Sequence, residues 1–150
     1  MRINIYGIKL NKNRVSELVK ESGINYGEST VVDSPQRAAE MFEIVFDLSN
    51  QAQEYLCLLA LDGGRKVSGA FEVSRGTLTS SLVHPREIFQ RAILAGAASI
   101  IIAHNHPSGM LMISEQDREV TQRIKDAGEL LGIPLDDHII CGGGSFTSAM

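Results

Sequence analysis

The sequence predicts a mixed α+β domain in which one β-sheet packs between helices. Two observations carry that prediction. Residues 55–62 and 99–103 are apolar runs of strand length, suited to strands covered on both faces. Segments with apolar residues at helical spacing fall between and after them. The order of elements is therefore strands, helix, hairpin, helix, strand, helix, strands.

Residues 1–10 alternate apolar and polar side chains, the period of a strand with one covered face. Over 15–21, Val15, Leu18 and Val19 also fit a helix, but the β-branched content and the punctuation at Gly23 and Gly27 favour a short strand. Ser34-Pro35 places a cap residue before a proline at the first turn. Ala38, Ala39, Phe42, Val45 and Phe46 then mark one face of a helix ending near Leu48. Tyr55 to Asp62 reads as the centre of the sheet, Gly63-Gly64 as a hairpin turn, and Lys66 to Arg75 as the returning strand. Gly76 to Ser81 is a polar loop. Pro85 opens a helix with Ile88, Phe89, Ala92 and Ile93 as its apolar stripe. Ser99 to Ala103 is a buried strand and 104–113 a loop. Ser114 begins a long helix whose expected core stripe is Val120, Ile124, Ala127, Leu130 and Leu131, ended by Gly132 and Pro134. Leu135 to Cys141 returns as a strand, and the glycines at 142–144 turn the chain into a short last one.

A chain of 150 residues is one domain's worth and can hold a core without disulfides. Apolar residues at 43% and charged residues at 21% exclude a disordered chain, a fibre and a disulfide scaffold. Cys57 and Cys141 both sit in apolar, strand-like segments and read as reduced core thiols. The longest apolar run, 93–103, contains Gly96 and Ser99 and is far short of the ~20 residues a membrane-spanning helix needs. The first residues lack the pattern of a secretory signal, so a cytoplasmic location is expected. Net charge is −4, and acids outnumber bases both before and after residue 50. Direct binding to duplex nucleic acid is therefore not expected, although a local basic patch stays open.

The chemistry concentrates between residues 104 and 117. His104 and His106 are two apart at a strand end, and period two points both side chains to one side. Two converging imidazoles are natural zinc ligands. Asp117 follows in the first turn of a helix and supplies a carboxylate. Three protein ligands leave a fourth tetrahedral position for water, the catalytic rather than the structural arrangement. A bland reading stands beside this one. An isolated His-x-His is common, and Ser114-x-x-Asp117 also matches a capping box. The two readings of Ser114 are compatible if its backbone caps the helix while its hydroxyl faces the site.

The whole pattern, His104-x-His106, seven residues, Ser114, two residues, Asp117, resembles the signature of the JAMM (also MPN+ or JAB) metallopeptidases. The segments Val83 to Ile93, His104 to Gly109 and Asp137 to Ile140 are similar to the RadC branch of that superfamily. The resemblance covers about residues 33–148. It implies a JAB/MPN domain over 31–150, with 1–30 as an added N-terminal, strand-bearing arm.

The resemblance also implies roles. His104, His106 and Asp117 would bind Zn2+, and Ser114 would donate a hydrogen bond to the developing oxyanion. An upstream glutamate would take a proton from the activated water and pass it to the leaving amine. Glu40, Glu43, Glu54, Glu72 and Glu87 are the candidates. Glu54 aligns with the family's Glu-aromatic-apolar strand; Glu87 is the second choice, with a helix first turn as its plainer explanation. His138, after Asp136-Asp137, either orients a ligand from behind or is a hydrogen-bonded core histidine. Asn105, Ser108 and Gly109 would shape the loop, with Asn105 a further candidate behind the ligands. His84 reads as structural and Arg86 as a solvated charge. The implied function is amide-bond hydrolysis, peptidase or isopeptidase, on a peptide or protein substrate. The alternative is an accessory role in DNA repair or recombination, as RadC-type proteins are labelled.

Overall fold

The chain runs β1 (Arg2–Leu10), β2 (Ser16–Asn25), α1 (Pro35–Phe46), a 3-10 turn (Leu48–Asn50), β3 (Tyr55–Leu61), β4 (Val67–Arg75), α2 (Pro85–Leu94), β5 (Ser99–Asn105), α3 (Glu115–Leu131), β6 (Leu135–Gly142) and β7 (Ser145–Ser148). The computed structural model describes residues 1–27, 29–79 and 81–150. Glu28, in the expected arm, and Ser80, in the expected loop, lie outside the described residues.

The seven strands form one mixed sheet in the order β2-β1-β4-β3-β5-β6-β7. β3 pairs antiparallel with both β4 and β5, and β5 runs parallel to β6. The β1–β2 hairpin joins the same sheet, where Ile5 lies opposite Ala70 of β4 in parallel register. Among the described residues, no helix is long and apolar enough to cross a membrane.

The unbroken apolar runs are explained by cover on both faces. On one face Cys57, Leu59, Leu61, Ile101, Ala103 and Ile139 pack under α1, through Ala38, Met41, Phe42 and Val45. On the other Leu56, Leu58, Ala60, Ile100 and Ile102 pack under Ile88, Phe89 and Ala92 of α2 and Val120 and Ile124 of α3. Both cysteines are buried and free. Ser34 caps α1 by accepting from the Arg37 N–H at 3.2 Å, with Pro35 at the first turn.

Four expectations are corrected. The second strand continues to Asn25, through Gly23, because it pairs with β1 along that whole length. β5 extends through Asn105, so His104 and Asn105 belong to the strand and not to the loop. Ile93, at the end of α2, is 57% exposed and lies outside the core. Leu130 and Leu131 are likewise exposed, and the buried stripe of α3 is Asp117, Val120, Thr121, Ile124 and Gly128. The stripe includes a glycine because a Cβ there would lie 2.5 Å from the Ile133 carbonyl oxygen, where the chain turns back toward β6.

Candidate metal centre

The centre forms where β5 ends. His104 projects toward the face covered by α3, and the next ladder bond, His106 N–H to the Cys141 carbonyl at 2.8 Å, carries the strand geometry one residue further. Both imidazoles therefore point the same way, and their Nε2 atoms are 3.1 Å apart. Asp117 comes to them from the first turn of α3. Its Oδ1 lies 3.1 Å from His104 Nε2 and its Oδ2 3.3 Å from His106 Nε2. One ligand atom from each residue falls within 4.8 Å of the others.

Asp117 is fixed by the helix start. Ser114 Oγ accepts from the Asp117 N–H at 3.0 Å, and Asp117 Oδ2 accepts from the Ser114 N–H at 2.9 Å, a reciprocal capping box. The expected division of labour in Ser114 is corrected here: the side-chain oxygen itself makes the cap. Because that oxygen accepts, its own proton stays available to a second partner. Burial of Asp117 opposes its ionisation, but the neighbouring His104 ring and the Ser114 N–H outweigh it. The carboxyl is held well below the usual carboxylate range.

The histidines are braced from behind. His106 Nδ1 lies 2.8 Å from the Met110 carbonyl, which can only accept, so Nδ1 carries the proton and Nε2 the free lone pair. His104 Nδ1 lies 2.8 Å from His138 Nε2. His138 is buried, and desolvation first, then its neighbour His104, pushes its pKa down to about 3. It is a neutral imidazole at physiological pH. Its neighbour Asp137 faces away, accepting from the His138 N–H and from Ser148 Oγ and so tying β6 to β7.

Asn105 lies between the two histidines and points to the opposite face. Its Oδ1 accepts from the Tyr55 N–H at 2.7 Å, and its Nδ2 donates to the Gln53 and Gln51 carbonyls at 2.9 and 3.3 Å. Asn105 thus holds the segment that presents Glu54. Asn105→Ala is expected to lower stability by about 1–3 kcal/mol, the cost of stranding buried partners. It should leave metal uptake intact; thermal melts and metal analysis of the purified variant check both.

Glu54 reaches the site from the start of β3. Its Oε2 accepts from the Leu78 N–H at 2.7 Å, and its carbonyl accepts from the Gly76 N–H at 2.8 Å, so the chain after β4 forms one wall. Glu54, Leu78, His106, Ser108, Ser114 and Asp117 line a single cavity of about 370 Å³. The other glutamates are elsewhere. Glu40 and Glu43 belong to α1 and line a separate cavity with Cys141, and Glu43 accepts from Ser49 Oγ at 2.6 Å. Glu72 pairs with Arg75 at 3.0 Å, and Glu87 pairs with Arg91 in the first turn of α2. His84 sits at the N-terminus of α2 without a side-chain capping bond, and the exposed Arg86 lies 3.7 Å from Glu87. Gly109 adopts φ 82° and its carbonyl lies against Gly142, where a Cβ would approach to 3.2 Å; small residues on both sides let the loop close over the β6–β7 turn.

Thr121 and Leu78 were not singled out by the sequence, yet both touch the site. Thr121 lies four residues after Asp117, hence on the same helix face, and that spacing was a readable signal. The Leu78 contribution is a backbone N–H, which no sequence motif marks.

Two imidazole nitrogens and one carboxylate, each oriented by a hydrogen bond of its own, are a donor set that fits a zinc ion. The family model for the RadC-like JAB domain matches residues 32–150. The UPF0758 protein tlr1707 of Thermosynechococcus vestitus is 44% identical over 122 residues, which are 81% of this chain and 48% of that protein. A UPF0758 protein of Clostridium kluyveri is 47% identical over 122 residues, 81% of this chain and 53% of the relative. One of Rubrobacter xylanophilus is 48% identical over 100 residues, 67% and 44% of the two. The chain spans about half the length of these curated relatives. With the family model matching most of its length and the His-His-Asp group assembled at the end of β5, the chain belongs to the family of RadC-like JAB domains.

Proposed function

We propose that this domain is a zinc-dependent amide-bond hydrolase, acting on a peptide or protein through a peptide or isopeptide bond. One observation carries the reading: of the five candidate glutamates, Glu54 alone lines the cavity that holds His106, Ser114 and Asp117. His104, His106 and Asp117 would hold the ion. When bound, zinc would supply Lewis acidity, polarising a carbonyl and acidifying a water.

The chain's own groups supply the rest. Glu54 offers a carboxylate that accepts a proton at the cavity wall and returns it to the departing nitrogen. The Leu78 N–H at 2.7 Å fixes one of its oxygens and leaves the other for that transfer. The Ser114 hydroxyl, its oxygen engaged by the Asp117 N–H, can turn its proton toward a carbonyl oxygen that gains negative charge. The walls over 77–78 and 106–108 restrict how a backbone segment can lie across these groups. A peptide library incubated with zinc-loaded protein tests the reading. Cleavage at amide bonds, abolished by chelation and restored by added zinc, is the expected result. A zinc-loaded protein inert toward peptides and lysine-linked isopeptides alike would overturn it.

A further inference from the structure

Behind the three donor atoms, a buried chain of hydrogen bonds runs from helix α3 through β6 to β5. Thr121 Oγ1 donates to the Asp117 carbonyl at 2.9 Å and lies 2.6 Å from His138 Nδ1. His138 Nε2 lies 2.8 Å from His104 Nδ1. Thr121, His138 and His104 are all buried.

The direction of this chain follows from its first link. A carbonyl only accepts, so the single Thr121 proton is directed at Asp117. The Thr121 oxygen then accepts from His138 Nδ1–H. His138 Nε2 is left bare and accepts from His104 Nδ1–H. His104 Nε2 is left bare in turn, and that is the nitrogen facing Asp117 and His106. The chain begins and ends on Asp117, with its carbonyl at one end and its carboxylate beside His104 at the other. The first turn of α3 and the end of β5 are thus held in register from both sides.

We infer that Thr121, acting through His138, is a positioning residue that sets the tautomer of His104 and so prepares its Nε2 for a cation. The inference rests on the reading of His104, His106 and Asp117 as a metal site. It assigns Thr121 a role that does not depend on which bond the protein cleaves. His138, left open by the sequence between a ligand-orienting and a core histidine, becomes the link that carries the effect. An imidazole whose rear nitrogen donates to a fixed acceptor is also a better base at its front nitrogen.

The experiment has two readouts on the full chain. Long-range 15N–1H spectra of histidine-labelled, zinc-free protein, at a pH above the ordinary histidine range, show which ring nitrogen carries each proton. Competition with a chromophoric chelator gives zinc affinity. Wild type should carry protons on Nδ1 of both His104 and His138. Thr121→Val keeps the shape but removes the acceptor for His138 Nδ1–H. It should shift the His138 proton toward Nε2 and weaken zinc binding by about 10–100-fold, the usual weight of an outer partner. Thr121→Ser, which keeps the hydroxyl, should restore both readouts.

A folded Thr121→Val protein with wild-type tautomers and wild-type affinity would overturn the inference. So would a wild-type spectrum with the His138 proton on Nε2, a result that does not depend on any variant folding. Wild-type protein that takes up no zinc removes the metal site itself, while the zinc-free spectra still decide the relay.

Discussion

Replacing His104 and His106 together by alanine is expected to leave a folded protein that holds no stoichiometric zinc. The two residues supply two of the three donor atoms, and Asp117 alone cannot hold a soft-to-borderline cation against water. The loss should therefore be complete and not graded, as metal analysis after gel filtration will show. The fold should survive because the apolar clusters on the two faces of the sheet do not depend on the site. Some stability will go, since His104→Ala strands His138 Nε2 and removes a partner of the Asp117 carboxylate; about 1–3 kcal/mol is the scale for a buried polar group left without its bond. Zinc retained at full occupancy in the double variant would sink the ligand assignment.

How much of this was legible in the sequence depends on whether a residue's role is local. The order of elements follows from hydrophobic period, and the candidate ligands follow from period two at the end of β5 and the first turn of α3. Both are local patterns. Leu130 and Leu131 fit the helical stripe equally well, yet they fall beyond the point where α3 lies on the sheet; only the tertiary path at Gly128 decides that. By sequence, His104 and Asn105 fall just past the apolar run of 99–103 and read as loop. In the fold, His104 is satisfied by His138 and Asn105 by the backbone of 51–55, so polarity does not interrupt the strand. Asn105 shows the limit most clearly. It sits between two histidines of the candidate site in sequence, but alternation turns it to the other face, and its work is to hold the segment of Glu54 from fifty residues away.

Glu54→Gln is expected to keep zinc and the fold, and to lose amide hydrolysis by on the order of 10²–10⁴-fold, the usual weight of a general base. The structure explains why this substitution separates mechanism from folding. A glutamine carbonyl oxygen can still accept from the Leu78 N–H, so the wall over 77–78 stays in place. The amide cannot take up a proton, so the lost function is proton transfer and little else. Ser114→Ala divides differently, because its side chain has two duties. Removing the cap on α3 should lower stability by about 1 kcal/mol whatever the chemistry. If the hydroxyl also donates to a developing oxyanion, the rate per bound zinc should fall by on the order of 10²–10³-fold. Ser114→Asn keeps a capping oxygen without that hydroxyl, and it should recover the stability but not the rate. The decisive quantity in each case is turnover divided by bound metal, measured on one cleaved substrate. Unchanged turnover in Glu54→Gln would remove the proton acceptor from the proposed reaction. None of the other four candidate glutamates lines the cavity, so no substitute stands ready to take its place.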